Sequence, residues 1–64
     1  MKKIRITGIE GYYYVEDDCL IFYCSDLQDD VQVSDLTELT IHQYNELNNK
    51  LEKHYNYNLN GRFI

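Results

Sequence analysis

Hydrophobic and polar positions alternate along the first third of the chain. Residues 2–7 alternate polar and apolar side chains, which predicts a strand with one buried face. Residues 12–16 and 19–24 are rich in the aromatic and aliphatic side chains that strands favour. Asp17 and Asp18 separate these two runs and suit a two-residue turn, because aspartate tolerates a positive φ. The pattern therefore predicts a β-hairpin preceded by an edge strand.

The second half of the chain predicts a helix. Val31, Gln32 and Val33 follow a polar loop and predict a short fourth strand. Thr40 is the expected N-cap of the helix, and Gln43, three residues later, completes a capping box. We expect the helix to end between Tyr55 and Tyr57. Apolar side chains recur within it at helical spacing and form one stripe, made of Ile41, Tyr44, Leu47, Leu51 and Tyr55.

These elements predict an α+β fold in a single domain over residues 1–64. It consists of a small antiparallel sheet of three to four strands, with one C-terminal amphipathic helix packed across one face. We expect the helix stripe to meet the sheet together with Ile4 or Ile6 and with Val31 or Val33. On the polar side of the helix, Glu46 and Lys50 should form an i,i+4 ion pair.

The hairpin turn determines which side chains share a face, because side chains alternate along a strand. The face expected against the helix carries Tyr13, Val15, Leu20 and Phe22. The opposite face, which we call the Tyr face, carries Tyr12, Tyr14, Glu16, Cys19, Ile21 and Tyr23. A shift of the turn by one residue would exchange the two faces.

The Tyr face has two interpretations, since no second helix is available to cover it. Cross-strand tyrosine pairs stabilise small sheets by themselves, so the face could be only a self-packed surface. Tyrosine also combines rigid apolar area with a polar tip, which suits a contact with a second copy or with another protein.

The excess of acidic side chains limits the kinds of partner that this chain can bind. Eleven acidic and six basic side chains give a net charge of −5, which opposes direct binding to nucleic acid or to anionic membranes. An up-and-down strand order places one group of acids at the hairpin turn, namely Glu16, Asp17, Asp18, Asp35 and Glu38. A second group falls at the other end of the sheet, namely Glu10, Asp26, Asp29 and Asp30. Such groups are either ordinary solvated loops or an array of carboxylates that stands in for phosphates.

Two functions follow from these patterns. The first is a non-enzymatic acidic protein that occupies or inhibits a nucleic-acid-handling protein, by analogy with small inhibitors from phages and mobile elements. The alternative is a homodimeric structural or protein-interaction module with no nucleic-acid-related target. The candidate partner-binding residues are Tyr12, Tyr14, Glu16, Asp17, Asp18, Tyr23, Asp26, Asp29, Asp30 and Asp35.

Other chemistry finds little support, and we predict no enzyme, cofactor or metal site. Residues 26–30 lack the glycine and glutamate positions of a calcium loop. His42 and His54 are about 18 Å apart along the helix, too far to share a metal. Cys19 and Cys24 are too far apart along one strand for a disulfide, so we expect reduced thiols and a cytoplasmic protein. The chain shows no signal-peptide pattern and no membrane-spanning apolar run.

Overall fold

The computed structural model describes residues 2–26, 29–33 and 36–59. Three strands form one antiparallel sheet in the order β1-β2-β3, and a helix follows them. The elements are β1 (Tyr12–Glu16), β2 (Cys19–Tyr23), β3 (Val31–Gln32) and α1 (Ile41–Tyr55). This α+β arrangement confirms the predicted fold class.

The β1–β2 hairpin has the predicted register. Its pairs run from Tyr12 opposite Tyr23 to Glu16 opposite Cys19. Asp17 and Asp18 form the turn with φ values of 53° and 62°. Positive φ at both central residues is the type I′ pattern, whose twist matches that of the flanking strands. The turn therefore fixes the register of the hairpin, and the register determines which side chains lie on each face.

The predicted strand over residues 2–7 is wrong. This N-terminal segment makes an isolated bridge to β1, in which Ile4 and Tyr13 exchange two backbone hydrogen bonds of 2.8 Å. The bridge does not extend in either direction, because the neighbouring carbonyls bond elsewhere. The carbonyl of Ile6 accepts from the amide of Ile9 in a turn, and the carbonyl of Lys2 accepts from the hydroxyl of Tyr55.

The buried cluster joins side chains from the sheet, the helix and the connecting segments. Its members are Ile4, Ile6, Tyr13, Leu20, Leu36, Leu39, Leu47, Leu51 and Leu59. Both Ile4 and Ile6 are buried, whereas Val33 only packs against the cluster and Val31 stays 44% exposed. Ile41 is 51% exposed, so its assignment to the buried stripe is wrong. It is the first helical residue, and Leu36 and Leu39 supply core side chains from the segment before it.

Helix α1 begins and ends at defined caps. The amide of Gln43 donates to the Thr40 hydroxyl at 3.1 Å, and the amide of Thr40 donates to the Gln43 side chain at 3.0 Å. This confirms the capping box. Asn56 adopts the left-handed conformation and ends the helix. Among the described residues, no helix is long and apolar enough to cross a membrane.

Candidate binding surface

The rings of the Tyr face pack against one another. The ring centroid of Tyr12 lies 5.4 Å from that of Tyr23 across the strand pair and 6.1 Å from that of Tyr14 along β1. Tyr12 and Tyr23 remain half-buried. They are therefore the two rings of this face with area still open to a partner.

Tyr14 is buried, which corrects its expected place on an open surface. Its exposed fraction is 6%, equal to that of Tyr13 on the core face. Burial, followed by a hydrogen bond to the Asp30 carboxylate, raises the pKa of Tyr14 to about 12. The sequence pattern sorted Tyr14 to the correct face, but it did not show that neighbouring groups cover the ring.

Two cations from the N-terminal segment lie over the Tyr face. The Nζ atom of Lys3 is 4.9 Å from the ring centroid of Tyr12, and the Cζ atom of Arg5 is 5.9 Å from it. Both distances are in the range of cation–π contacts. The Ile4–Tyr13 bridge explains this placement, since residues on either side of Ile4 point to the opposite face. The sequence analysis did not predict that Lys3 and Arg5 contact Tyr12. The alternation in residues 2–7 did place both cations on one face of that segment.

Asp30 lies at the opposite edge of the Tyr face from Lys3 and Arg5. Ile21 of β2 pairs with Gln32 of β3, and Phe22 pairs with Val31, which sets Asp30 opposite Tyr23. On the other side, the bridge register sets Arg5 opposite Tyr12. We call the resulting line across the sheet the charged row: Arg5, Tyr12, Tyr23 and Asp30. It begins with a cation and ends with a carboxylate.

The hairpin turn carries an acidic tip formed by Glu16, Asp17 and Asp18. All three side chains are exposed. In the described ranges, none of them forms a salt bridge, since the recorded ion pair joins Lys50 and Glu46. The tip is thus a group of three consecutive carboxylates without a neutralising partner in that part of the chain.

The remaining predicted acids do not form one cluster. Asp26, Asp29 and Asp30 are exposed, and the Asp29 carboxylate accepts from the backbone amide of Asp30 at 2.9 Å. Asp35 lies outside the described residues. Glu38 is exposed, and its charge affects Tyr13 on the core face. Burial is the main cause that raises the pKa of Tyr13, and the Glu38 carboxylate adds to it.

Helix side chains hold the N-terminal segment through its backbone. The Nζ atom of Lys50 donates to the carbonyl of Arg5 at 2.7 Å and to Glu46 at 2.9 Å. Glu46 in turn accepts from the amide of Thr7 at 3.2 Å. The hydrogen bond from Lys50, with that from Thr7, lowers the pKa of Glu46. The predicted Glu46–Lys50 pair is confirmed, and it also fixes the backbone that carries Lys3 and Arg5.

A small open cavity lies beside the aromatic pair. Its volume is about 230 Å³, below the 300–1,000 Å³ typical of small-molecule pockets. Its lining residues are Arg5, Glu10, Gly11, Tyr12, Tyr23, Cys24 and Ser25. Gly11 has φ +103°, and a Cβ atom there would lie 2.3 Å from the Tyr23 carbonyl oxygen, so the close approach at this end requires glycine.

The other reactive side chains are scattered. Cys19 and Cys24 are free thiols and half-buried. His42 and His54 are exposed. Partial loss of hydration, followed by the nearby charges of Lys2, Lys53 and Lys50, lowers the pKa of His54. Among the described residues, His, Cys, Asp and Glu form no group of three that could hold a metal ion.

Comparison with protein-family models, with curated proteins and with solved structures finds no match to this chain.

Proposed function

We propose that this chain is a non-enzymatic acidic binding protein that occupies a basic surface of a nucleic-acid-handling protein. The observation that carries the proposal is the acidic tip, in which Glu16, Asp17 and Asp18 are all exposed on a tight turn. Carboxylates in this arrangement meet lysine and arginine side chains that otherwise bind phosphates. Two cysteines without a disulfide fit a cytoplasmic protein.

The rigidity of the tip supports this function. Its two central residues occupy the positive-φ wells of a type I′ turn, and five residue pairs hold the strands behind it. A group that is already ordered loses little conformational entropy on binding, so more of its interaction energy appears as affinity. The exposed Asp26 and Asp29 and the half-buried rings of Tyr12 and Tyr23 lie towards the other end of the hairpin and would add contacts there.

The mechanism is steric and electrostatic. The acidic tip attracts the basic cleft from a distance and raises the association rate, and the occupied cleft then excludes nucleic acid. Because salt screens exposed charges beyond about 8 Å at physiological ionic strength, affinity for the target should fall steeply as salt is raised. Binding that does not change with salt would contradict the electrostatic part of the proposal.

The test is a turn variant that removes charge and keeps the hairpin. Asp17→Asn with Asp18→Gly creates the preferred type I′ dipeptide, so the hairpin should gain about 1 kcal/mol while the tip loses two carboxylates. Affinity capture from the native host, followed by mass spectrometry, should recover a nuclease, polymerase or repair protein with the original chain and lose it with this variant.

The matched control removes two exposed carboxylates elsewhere, by Glu10→Gln with Glu52→Gln. This control has the same net charge as the turn variant and should keep the captured protein. Equal capture by the original chain and the turn variant, or capture of structural proteins alone, would overturn the proposed function.

A further inference from the structure

We infer that the Tyr face binds a second copy of this chain, in a twofold arrangement that sets Arg5 of each copy against Asp30 of the other. Homodimers of this kind use the same patch on both subunits, so the patch must be complementary to itself. The charged row meets this condition through its order and its symmetry.

The order of the charged row follows from strand pairing. The Ile4–Tyr13 bridge sets Arg5 opposite Tyr12, and β1 pairs Tyr12 with Tyr23. The β2–β3 register then sets Asp30 opposite Tyr23. A cation, two aromatic rings and a carboxylate thus follow one another across the same face.

Consider a twofold axis that lies between the two facing sheets, parallel to the strands and above the line that separates β1 from β2. This axis reverses the order of the row in the second copy. Arg5 then faces Asp30, and Tyr12 faces Tyr23. The arrangement occurs twice by symmetry, so each dimer contains two Arg5–Asp30 pairs around four rings. Within the charged row, opposite charges meet and like charges do not, which favours a second copy over a partner of uniform charge.

Arg5 and Asp30 are both available for such a pair. Both are exposed, and within the described ranges neither forms a salt bridge. Asp30 also accepts from the Tyr14 hydroxyl, but a carboxylate has about four lone-pair positions and can accept from a guanidinium as well. Lys50 holds the Arg5 carbonyl, so the backbone that carries the Arg5 side chain stays fixed beside Tyr12.

The size of the face indicates a weak dimer. The two longest dimensions of the chain are 27 and 24 Å, so one face offers at most about 650 Å² and a dimer buries at most about 1,300 Å². This is the lower end of the range for specific interfaces. We therefore expect self-association at micromolar concentrations and above.

The dimer would change the acidic tip. An axis parallel to the strands leaves strand direction unchanged, so both hairpin turns lie at the same end. Six carboxylates, three from each copy, would then form one array. This consequence adds to the proposed function, but the dimer itself is measured without any target and does not depend on one.

Sedimentation equilibrium tests the dimer with charge reversal. The original chain should rise from 7.7 kDa towards twice that mass as concentration increases towards about 1 mM. Arg5→Glu alone and Asp30→Lys alone should each weaken association at least tenfold, because each places two like-charged pairs in the interface. An equimolar mixture of the two variants should recover it, since the mixed dimer restores both opposite-charge pairs.

Lys53→Glu and Glu52→Lys are the matched controls, because they make the same charge changes on exposed helix positions. They should associate like the original chain. A chain that remains at 7.7 kDa throughout, single variants that associate normally, or a mixture that fails to recover would each overturn the inference. Circular dichroism checks the fold of each variant.

A second measurement needs no variant. In a mixture of isotope-labelled and unlabelled chains, filtered nuclear Overhauser spectra should show contacts between the Tyr12 ring of one copy and the Tyr23 ring of the other. Contacts through another surface, without this pair, would overturn the inference even for a dimeric chain.

Discussion

Tyr13 and Tyr14 are neighbours in β1, lie on opposite faces and are equally buried, yet different groups bury them. Tyr13 belongs to the apolar cluster, and its ring centroid is 4.7 Å from that of Phe22. Tyr14 lies outside that cluster, where Tyr12 and Asp30 are its recorded neighbours. Equal burial therefore does not mean equal surroundings in a sheet this thin.

The difference teaches how a small chain with one helix can bury side chains on both faces of its sheet. On the core face, leucine and isoleucine side chains supply non-directional apolar burial. On the Tyr face, cations stack on a ring and a carboxylate accepts from a hydroxyl. Contacts of the second kind are individually weaker at exposed positions. The core face should therefore dominate stability, and the Tyr face should remain adjustable.

The largest expected effect is on the core face. Leu20 is fully buried, so Leu20→Ala should lower the free energy of unfolding by about 2–5 kcal/mol. Ile21 is its neighbour in β2 on the Tyr face and is half-buried, so Ile21→Ala should cost about 1–2 kcal/mol. Urea denaturation measures both. Equal losses of unfolding free energy in the two variants would contradict the expectation that the core face dominates stability.

Removal of the cations should have an intermediate effect. Lys3→Gln with Arg5→Gln deletes both cation–π contacts to Tyr12 and should cost about 1 kcal/mol in total. The ring resonances of Tyr12 should shift, while those of Tyr13 should not. Lys53→Gln on the helix is the control and should leave both unchanged. Unchanged Tyr12 resonances in the double variant would mean that the cations do not cover the ring in solution.

The last effect appears only at alkaline pH, and it distinguishes the two tyrosines. The folded pKa of Tyr14 is about 12, above its ordinary value of 10.0. Neutral Tyr14 therefore contributes stability that is fully present below pH 10 and is lost as pH rises through about 12. Tyr14→Phe should reduce this alkaline loss of stability and remove the highest step from the ultraviolet titration of the phenols.

Tyr13→Phe is the matched control for that titration. It should remove a different raised step, since burial and then Glu38 raise the pKa of Tyr13. If Tyr14→Phe loses stability between pH 10 and pH 12 just as the original chain does, the alkaline transition does not belong to Tyr14.

Local patterns predicted the elements that depend on neighbours in sequence. The Asp17–Asp18 turn and strict alternation gave the hairpin register, and the Thr40–Gln43 box marked where the helix begins. Turn chemistry and capping act within a few residues, so one chain is enough to recognise them.

Contacts between distant segments escaped prediction. Asp30, which helps to cover Tyr14, lies sixteen residues away from it in the chain, and Lys3 and Arg5 reach Tyr12 from another segment. Alternation assigns a side chain to a face but does not say what lies above it. The predicted strand over residues 2–7 failed for a related reason, because the Tyr55 hydroxyl took the Lys2 carbonyl and a local turn took the Ile6 carbonyl.

The attachment of the N-terminal segment has a consequence for how this chain can change. Tyr55, Lys50 and Gln43 bind the main-chain oxygens of Lys2, Arg5 and Thr7, and every residue type offers that oxygen. The side chains at positions 3 and 5 can therefore be exchanged while the anchorage persists. In mutational libraries, substitutions at these two positions should therefore change the contacts of the Tyr face and its self-association while the chain still folds.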